Sequence, residues 1–334
     1  MHWTTFDQSL YAYSANVGYN LSRISHLPFG LSVGVGFSRL SMDAQTARTL
    51  PFSFWEHQNN FTVALGFDWL VRLGLGYTAQ SFSTEIYNPA PIGVENGATN
   101  CSSYGAILEI PVVALASSLS KKPLTINTAL DPVLNLTLAW AERNVGSDTS
   151  IVSPFVIEPI PRQSVLGLNL LLGIETEVAG KRWRILSFIF AREASDLLVA
   201  SSTYYLPAYG FPFYSYYYRG GLGDISPIDN LIFGQSNGNM EMRRGWQLQV
   251  AELLYLRGGS ATGPGGLNYS TLGFGLRLDG LVNTLAAYQL IDIATPGIWK
   301  FISGHLDLRY DHSAYSGDNS LTGTNFQSLN LIVK

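Results

Sequence analysis

The sequence predicts an all-β protein, a transmembrane antiparallel β-barrel of about 14 strands with long extracellular loops and short periplasmic turns. Three observations predict it. First, apolar residues make up 46% of the 334-residue chain and charged residues only 13%. Soluble domains carry about 25% charged residues, so this chain has too little charge to coat a water-facing surface. Second, no apolar run reaches the ~18 residues of a spanning helix. The longest, Ile110–Leu119 and Val165–Ile174, fall far short. Third, a period-2 alternation recurs along the chain. Only helices and closed barrels satisfy every backbone group inside a bilayer, so strands are left to do the crossing.

The elements follow in order. Tyr11–Leu21 places Tyr11, Tyr13, Ala15, Val17 and Tyr19 on one face and Ala12, Ser14, Asn16, Gly18 and Asn20 on the other. Phe29–Ser38 repeats this, with Phe29, Leu31, Val33, Val35 and Phe37 against Gly30, Ser32, Gly34, Gly36 and Ser38. Phe61–Trp69 and Leu73–Tyr77 come next, separated by a tight turn. Leu134–Trp140, Leu166–Ile174, Trp246–Val250 and Leu272–Leu278 continue the pattern. Weaker alternation marks Tyr104–Ile110, Trp183–Ala191, Leu254–Gly259, Leu285–Leu290, Ile302–Tyr310 and Phe326–Val333. A soluble β-sandwich also alternates, but its outer face meets water and is polar. Here the second face is mainly Gly, Ser, Asn and Thr, which suits a lumen. Irregular stretches at 41–57, 83–101, 145–162, 197–240 and 311–324 read as loops. No boundary divides residues 1–334, so a single domain is expected. The first residues lack the basic and apolar regions of an export signal, so the N-terminal signal is expected to be missing from the given chain.

Composition excludes several classes. A net charge of −4 with no basic run argues against nucleic acid. The single cysteine, Cys101, forms no disulfide framework. His2, His26, His57, His305 and His312 have no metal-ligand spacing, so no metal and no cofactor is expected. Gly34-Val35-Gly36, Gly74-Leu75-Gly76 and Gly273-Phe274-Gly275 lie inside alternating strands, not at the strand-to-helix turn of a phosphate loop. Glu175 with Glu177, and Arg277 with Asp279, share faces by parity and read as lumen polar groups. With Asp68 and Glu109 they form no single-sign ring of an ion-selective pore. His305 is the only histidine within an expected strand, and spacing assigns it no serine. The protein is therefore not expected to be an enzyme.

One stretch stands apart. Tyr204–Tyr218 reads YYLPAYGFPFYSYYY. Its rings are Tyr204, Tyr205, Tyr209, Phe211, Phe213, Tyr214, Tyr216, Tyr217 and Tyr218. Aromatic girdles place one or two rings at each strand end, at the headgroup level. A dense cluster with Pro207 and Pro212 reads instead as a loop surface for a partner or ligand.

Three segments carry a family resemblance. They are His2-Trp3 followed by Ser9–Leu21, then Phe29–Met42 (FGLSVGVGFSRLSM), and Gly245–Gly259 (GWQLQVAELLYLRGG) with a turn at Glu252 followed by Leu272–Leu278. They resemble the PorV/PorQ branch of the FadL-like outer-membrane barrels. Two features depart from that pattern. No hatch with its Asn-Pro-Ala motif precedes the first strand, since Asn88-Pro89-Ala90 falls in a later loop. The last residue is Lys334, where barrels usually carry an aromatic ring. The resemblance implies a protein of the bacterial outer membrane, in contact with its lipid. It further implies an accessory, docking subunit of type IX-like secretion, binding a larger outer-membrane translocon or secreted cargo protein. Its alternative is FadL-like passive transport of a hydrophobic small molecule through the lumen. Since the lumen face is small and polar, the aromatic loop is the expected working surface.

Overall fold

The computed structural model describes residues 6–21, 30–46, 53–88, 93–127, 129–146, 149–153, 156–158, 160–178, 181–205, 212–293, 297–317 and 322–333. The first strands are β1 (Phe6–Asn20), β2 (Gly30–Thr46), β3 (Ser53–Asp68), β4 (Arg72–Asn88) and β5 (Gly93–Pro111), followed by helix α1 (Val112–Ser120). Then come β6 (Asp131–Gly146), β7 (Thr149–Ser153), β8 (Val156–Glu158), β9 (Gln163–Val178), β10 (Lys181–Leu197), β11 (Val199–Tyr205) and β12 (Pro212–Tyr218). The last part holds β13 (Met240–Val250), β14 (Leu254–Gly263), β15 (Leu267–Arg277), α2 (Leu278–Ala287), α3 (Ile298–His305), β16 (Leu306–Gly317) and β17 (Asn325–Val333). Thirteen strands form one sheet in the order β1-β2-β3-β4-β5-β6-β9-β10-β13-β14-β15-β16-β17, and β7–β8 and β11–β12 are separate hairpins. The fold is all-β and antiparallel, as the alternation predicts, with thirteen sheet strands against the 14 or so expected. With the two hairpins set aside, successive strands are sheet neighbours, the order of an up-and-down barrel. No helix among the described residues is long and apolar enough to cross a membrane.

The chain divides into two compact units. In the first (1–108, 139–165 and 196–223), β1 to β4 pair in unbroken register. Val17, Val35, Val63 and Tyr77 stand in one row across the four strands. Tyr19–Val33–Leu65–Leu75 and Ala15–Phe37–Phe61–Ala79 flank it. This apolar face is open: Val17 is 70% exposed and Val35 52%. From Leu31 to Phe37 it runs roughly 20 Å along the strand, at about 3.4 Å per residue. The opposite face carries Asn16–Gly36–Thr62–Thr78, Gly18–Gly34–Ala64–Gly76 and Ser14–Ser38–Asn60–Gln80. Its polar groups bond to one another. The Asn60 amide donates to Ser38 Oγ at 3.0 Å, Thr62 and Thr78 hydroxyls meet at 2.9 Å, and Ser103 Oγ donates to Gln80 Oε1 at 3.0 Å.

In the second unit (109–138, 166–195 and 224–334), β13 to β17 repeat the design. Leu248–Leu256–Phe274–His312 and Val250–Leu254–Leu276–Tyr310 form outer rows. Gln249–Tyr255–Gly275–Asp311 lies on the other face. Arg277 and Arg309 face each other across β15 and β16, a pairing that like charges oppose. Asp307, fully buried, resolves it by accepting from Arg277 Nη2 and Arg309 Nε, each at 2.7 Å. Arg277 Nη1 also donates to Tyr255 Oη at 2.9 Å.

Four expectations are corrected. Leu285–Leu290 is not a strand: α2 covers its first part. The spacing of Leu278, Leu281, Val282 and Leu285 is helical, a period hidden when the stretch is read from Leu285 onward. Ile302–Tyr310 divides between α3 and β16, so His305 ends a helix, while His57 and His312 are the histidines in described strands. Asp279 sits in α2, 3.9 Å from Arg277, and the two are not a strand pair. Finally, much of the stretches expected as loops at 41–57, 83–101 and 311–324 is strand. The ladder needs only backbone groups, so it continues where hydropathy stops alternating. Asn88 ends β4, and Pro89 and Ala90 lie outside the described residues.

The turn at Glu252 is present. Ala251 and Glu252 take left-handed φ of 53°, and Leu253 N–H donates to Val250 O at 3.0 Å. Trp183 Nε1 braces the turn by donating to Ala251 O at 3.2 Å. α2 lies against this turn through Gly280, where a Cβ would overlap the Glu252 carbonyl. Burial there raises the Glu252 carboxyl above its usual range. Gly280→Val should therefore cost about 1–3 kcal/mol by overpacking. Gly297→Val, in extended backbone with open space, should stay within about 0.5 kcal/mol. Thermal melts of the two variants in detergent check this.

Candidate functional site

The aromatic stretch is not an irregular loop over its described residues. β11 and β12 form a two-stranded hairpin in which Tyr204 faces Phe213, Thr203 faces Tyr214, Ser201 faces Tyr216, Ala200 faces Tyr217 and Val199 faces Tyr218. Val, Thr and Tyr favour extended backbone, and Pro at the first residue of β12 does not break a strand. Tyr209 and Phe211 lie outside the described residues, and Tyr204, Tyr205, Phe213 and Tyr214 are placed by backbone alone. Tyr216 and Tyr217 point to opposite faces, because side chains alternate along a strand. Both are open, at 47% and 55% exposure. The base of the hairpin therefore packs neither of these faces against a core. Tyr218 is half-buried, with the Arg162 guanidinium 5.2 Å from its ring centre.

What holds the hairpin is a cluster at its base, all in the first unit. Leu198, fully buried, donates its N–H to Arg162 O at 2.8 Å and accepts from Arg219 N–H at 2.7 Å. Beside it, Arg219 Nη2 donates to both carboxylate oxygens of Asp196, at 3.0 and 3.1 Å. Asp196 is fully buried. The same nitrogen reaches Leu197 O at 2.8 Å. Gly223, at φ +60°, passes so close that a Cβ would collide with the Asp196 carboxylate. On the other side, Arg162 Nε lies 3.3 Å from Glu142 Oε1, and Tyr104 Oη donates to Glu142 Oε2 at 2.6 Å. The Tyr104 and Trp140 rings lie 5.5 Å apart. Tyr104, Glu142, Arg162, Asp196 and Arg219 are the residues that sequence reading missed. Their partners are 20 or more positions distant, as with Tyr104 and Glu142, 38 apart, so only the register brings them together.

The remaining sequence candidates are paired separately. Glu175 accepts from Arg184 at 2.6 Å, Glu109 from Asn135 at 2.9 Å, and Asp68 lies 3.5 Å from Arg72. Each carboxylate thus meets a cation or an amide, as a structural network does. Cys101 donates to Gln80 at 3.3 Å. One contact that spacing could not find is Ser41 Oγ to His57 Nδ1, at 2.8 Å. It lies in the row Ser41–His57–Ser83, next to Arg39–Asn59–Ser81. By parity these rows share the face of the apolar rows of β2 to β4 and continue it at one end. Among the described residues no group of three or more His, Cys, Asp or Glu could hold a metal.

Two solved structures are among those similar to this chain. One is the Serratia marcescens hemophore receptor HasR, a double mutant in complex with its hemophore HasA and heme. Identity is 11%, the match covers 97% of this chain and 50% of that one, and the TM-score is 0.38. The other is CdiB from Acinetobacter baumannii, at 9% identity, 97% and 59% coverage and a TM-score of 0.30. The chain spans half the length of the first and 59% of the second. No family model and no curated protein matches the chain.

Removing Arg219 would leave the Asp196 carboxylate buried without its guanidinium, a change worth about 3–5 kcal/mol locally. Arg219→Ala should loosen the hairpin base and speed chymotryptic cleavage after Tyr217 and Tyr218. Asp196→Asn should do so less, since it keeps the shape and removes the charge. Timed proteolysis with mass readout checks both.

Proposed function

We propose that the chain works as an outer-membrane β-barrel that docks a protein partner through the β11–β12 hairpin. The membrane part rests on the two open apolar faces described for β1–β4 and β13–β17. A band of roughly 20 Å matches the ~25 Å apolar belt of outer-membrane barrels, and the small polar face suits a lumen. Lipid is the solvent that makes such an open face favourable.

The observation that carries the docking role is the hairpin with Tyr216 and Tyr217 open on opposite faces and its base held by the Asp196–Arg219 pair. A two-stranded hairpin is marginal on its own in water. The anchor preorders it, and preordering lowers the entropy lost when a partner binds. Tyrosine is enriched among residues that dominate binding energy. Bare strand edges add a second mode, in which an extended partner segment joins the hairpin as a third strand. A translocon subunit or a secreted cargo protein offers the surface such a device needs, and the protein's own role is then accessory, without chemistry of its own.

Two outcomes are expected. A photo-crosslinking phenylalanine analogue at position 217 should trap one discrete outer-membrane protein. Tyr216→Ala with Tyr217→Ala should cut its co-purification at least tenfold, as about 1.4 kcal/mol suffices, while heat-modifiability is unchanged. Unchanged recovery would remove the docking role. Separately, Val35→Arg, at the middle of the apolar band, should cost about 2–4 kcal/mol of folding into vesicles, read as a lower folded fraction on unheated gels. Gly34→Ser, on the opposite face, should leave that fraction unchanged.

A further inference from the structure

The connection between β15 and β16 has a buried half and an exposed half. In α2, Asp279, Gly280 and Val282 are buried, and Gly280 abuts the β13–β14 turn. α3 touches α2 and β16 but keeps its apolar side chains open. Gly297 supplies no capping side chain, and none of the described α3 residues is buried. Ile298 is 69% exposed, Phe301 54% and Trp299 39%. A helix of eight residues is marginal in water by itself. One that shows three large apolar side chains and keeps its form calls for an apolar medium around it.

The neighbouring strand identifies that medium. α3 runs without a break into β16, whose Leu306, Leu308 and Tyr310 share the outer face with Leu331 and Leu329 of β17. α3 thus leads straight into a strand with an apolar outer face. The antiparallel order puts this connection at the same sheet end as the β13–β14 turn, where the apolar rows of the strands stop. The residue types also fit a membrane boundary there: Trp rings settle at the headgroup level. Phe301 stacks on His305 at 4.8 Å between ring centres, so the polar imidazole marks the strand-side end of the apolar patch.

We propose that α3 is an interfacial anchor, lying in the headgroup–acyl boundary of the bilayer with Ile298, Trp299 and Phe301 inserted. This rests on the reading that the outer rows of β13–β17 face lipid. The test uses the full chain with Cys101→Ser, spin-labelled singly at Ile298, Phe301, Leu272 or Gly323. The protein is folded into vesicles of phosphatidylethanolamine and phosphatidylglycerol. Collision with oxygen, which partitions into lipid, is compared with collision with a water-soluble nickel chelate. Labels at 298 and 301 should favour oxygen several-fold over a label at the Gly323 loop, and less than the label at Leu272. Labels at 298 and 301 that favour the chelate would overturn the proposal, placing α3 in water. Labels shielded from both reagents would also overturn it, assigning the helix to a protein partner. If Leu272 itself fails to favour oxygen, the lipid-facing reading has failed first. If Leu272 is in lipid and the α3 labels are not, the anchor alone is wrong.

Discussion

A backbone amide or carbonyl that loses water must find another partner, and this constraint shapes the chain more than any side chain does. The penalty for each unmet group inside a bilayer is several kcal/mol. An antiparallel ladder meets it residue by residue, and the ladders here run through apolar and polar stretches alike. Once the ladder is fixed, the period of two is automatic, and with it the separation of Val17, Val35, Val63 and Tyr77 from Gly18, Gly34, Ala64 and Gly76. The apolar rows and the small polar rows are two readouts of one backbone geometry.

Charge is scarce, and two of the buried carboxylates sit at junctions. Asp307 lies where β15 leaves the sheet for α2, between two arginines that would otherwise repel. Asp196 lies where β10 hands over to the hairpin. In both places a carboxylate fixes the direction of a chain leaving the regular ladder. Buried ion pairs contribute little net stability when desolvation is counted. Their use here is geometric: they specify an exit angle that apolar packing alone would leave loose.

The sheet was legible in the sequence because its two faces carry opposite chemistries on successive residues, and Phe29–Ser38 displays that contrast without interruption. The strand ends were not legible. Beyond the apolar band neither face is selected, so Ser41 to Thr46 carries no alternation although the ladder continues. Leu285–Leu290 misled because a few residues are too short to separate a period of 2 from one of 3.6. For the candidate site, the ring cluster itself stood out in Tyr204–Tyr218. Its hairpin form and its anchor did not, since Asp196 meets Arg219 and Glu142 meets Arg162 only after strands far apart in sequence have been aligned.

The separate β11–β12 sheet carries one further consequence. Among the described residues these two strands pair only with each other, which leaves two strand edges open to another chain, and this pair is rich in rings. Such an edge does not distinguish a rightful partner strand from the same hairpin on another copy. Occupancy would then act as protection: a protomer with its hairpin engaged has no edge to offer, while one made in excess does. The abundance of the barrel would be tied to the supply of whatever covers the hairpin, and imbalance between the two would surface as self-association before it surfaced as lost stability.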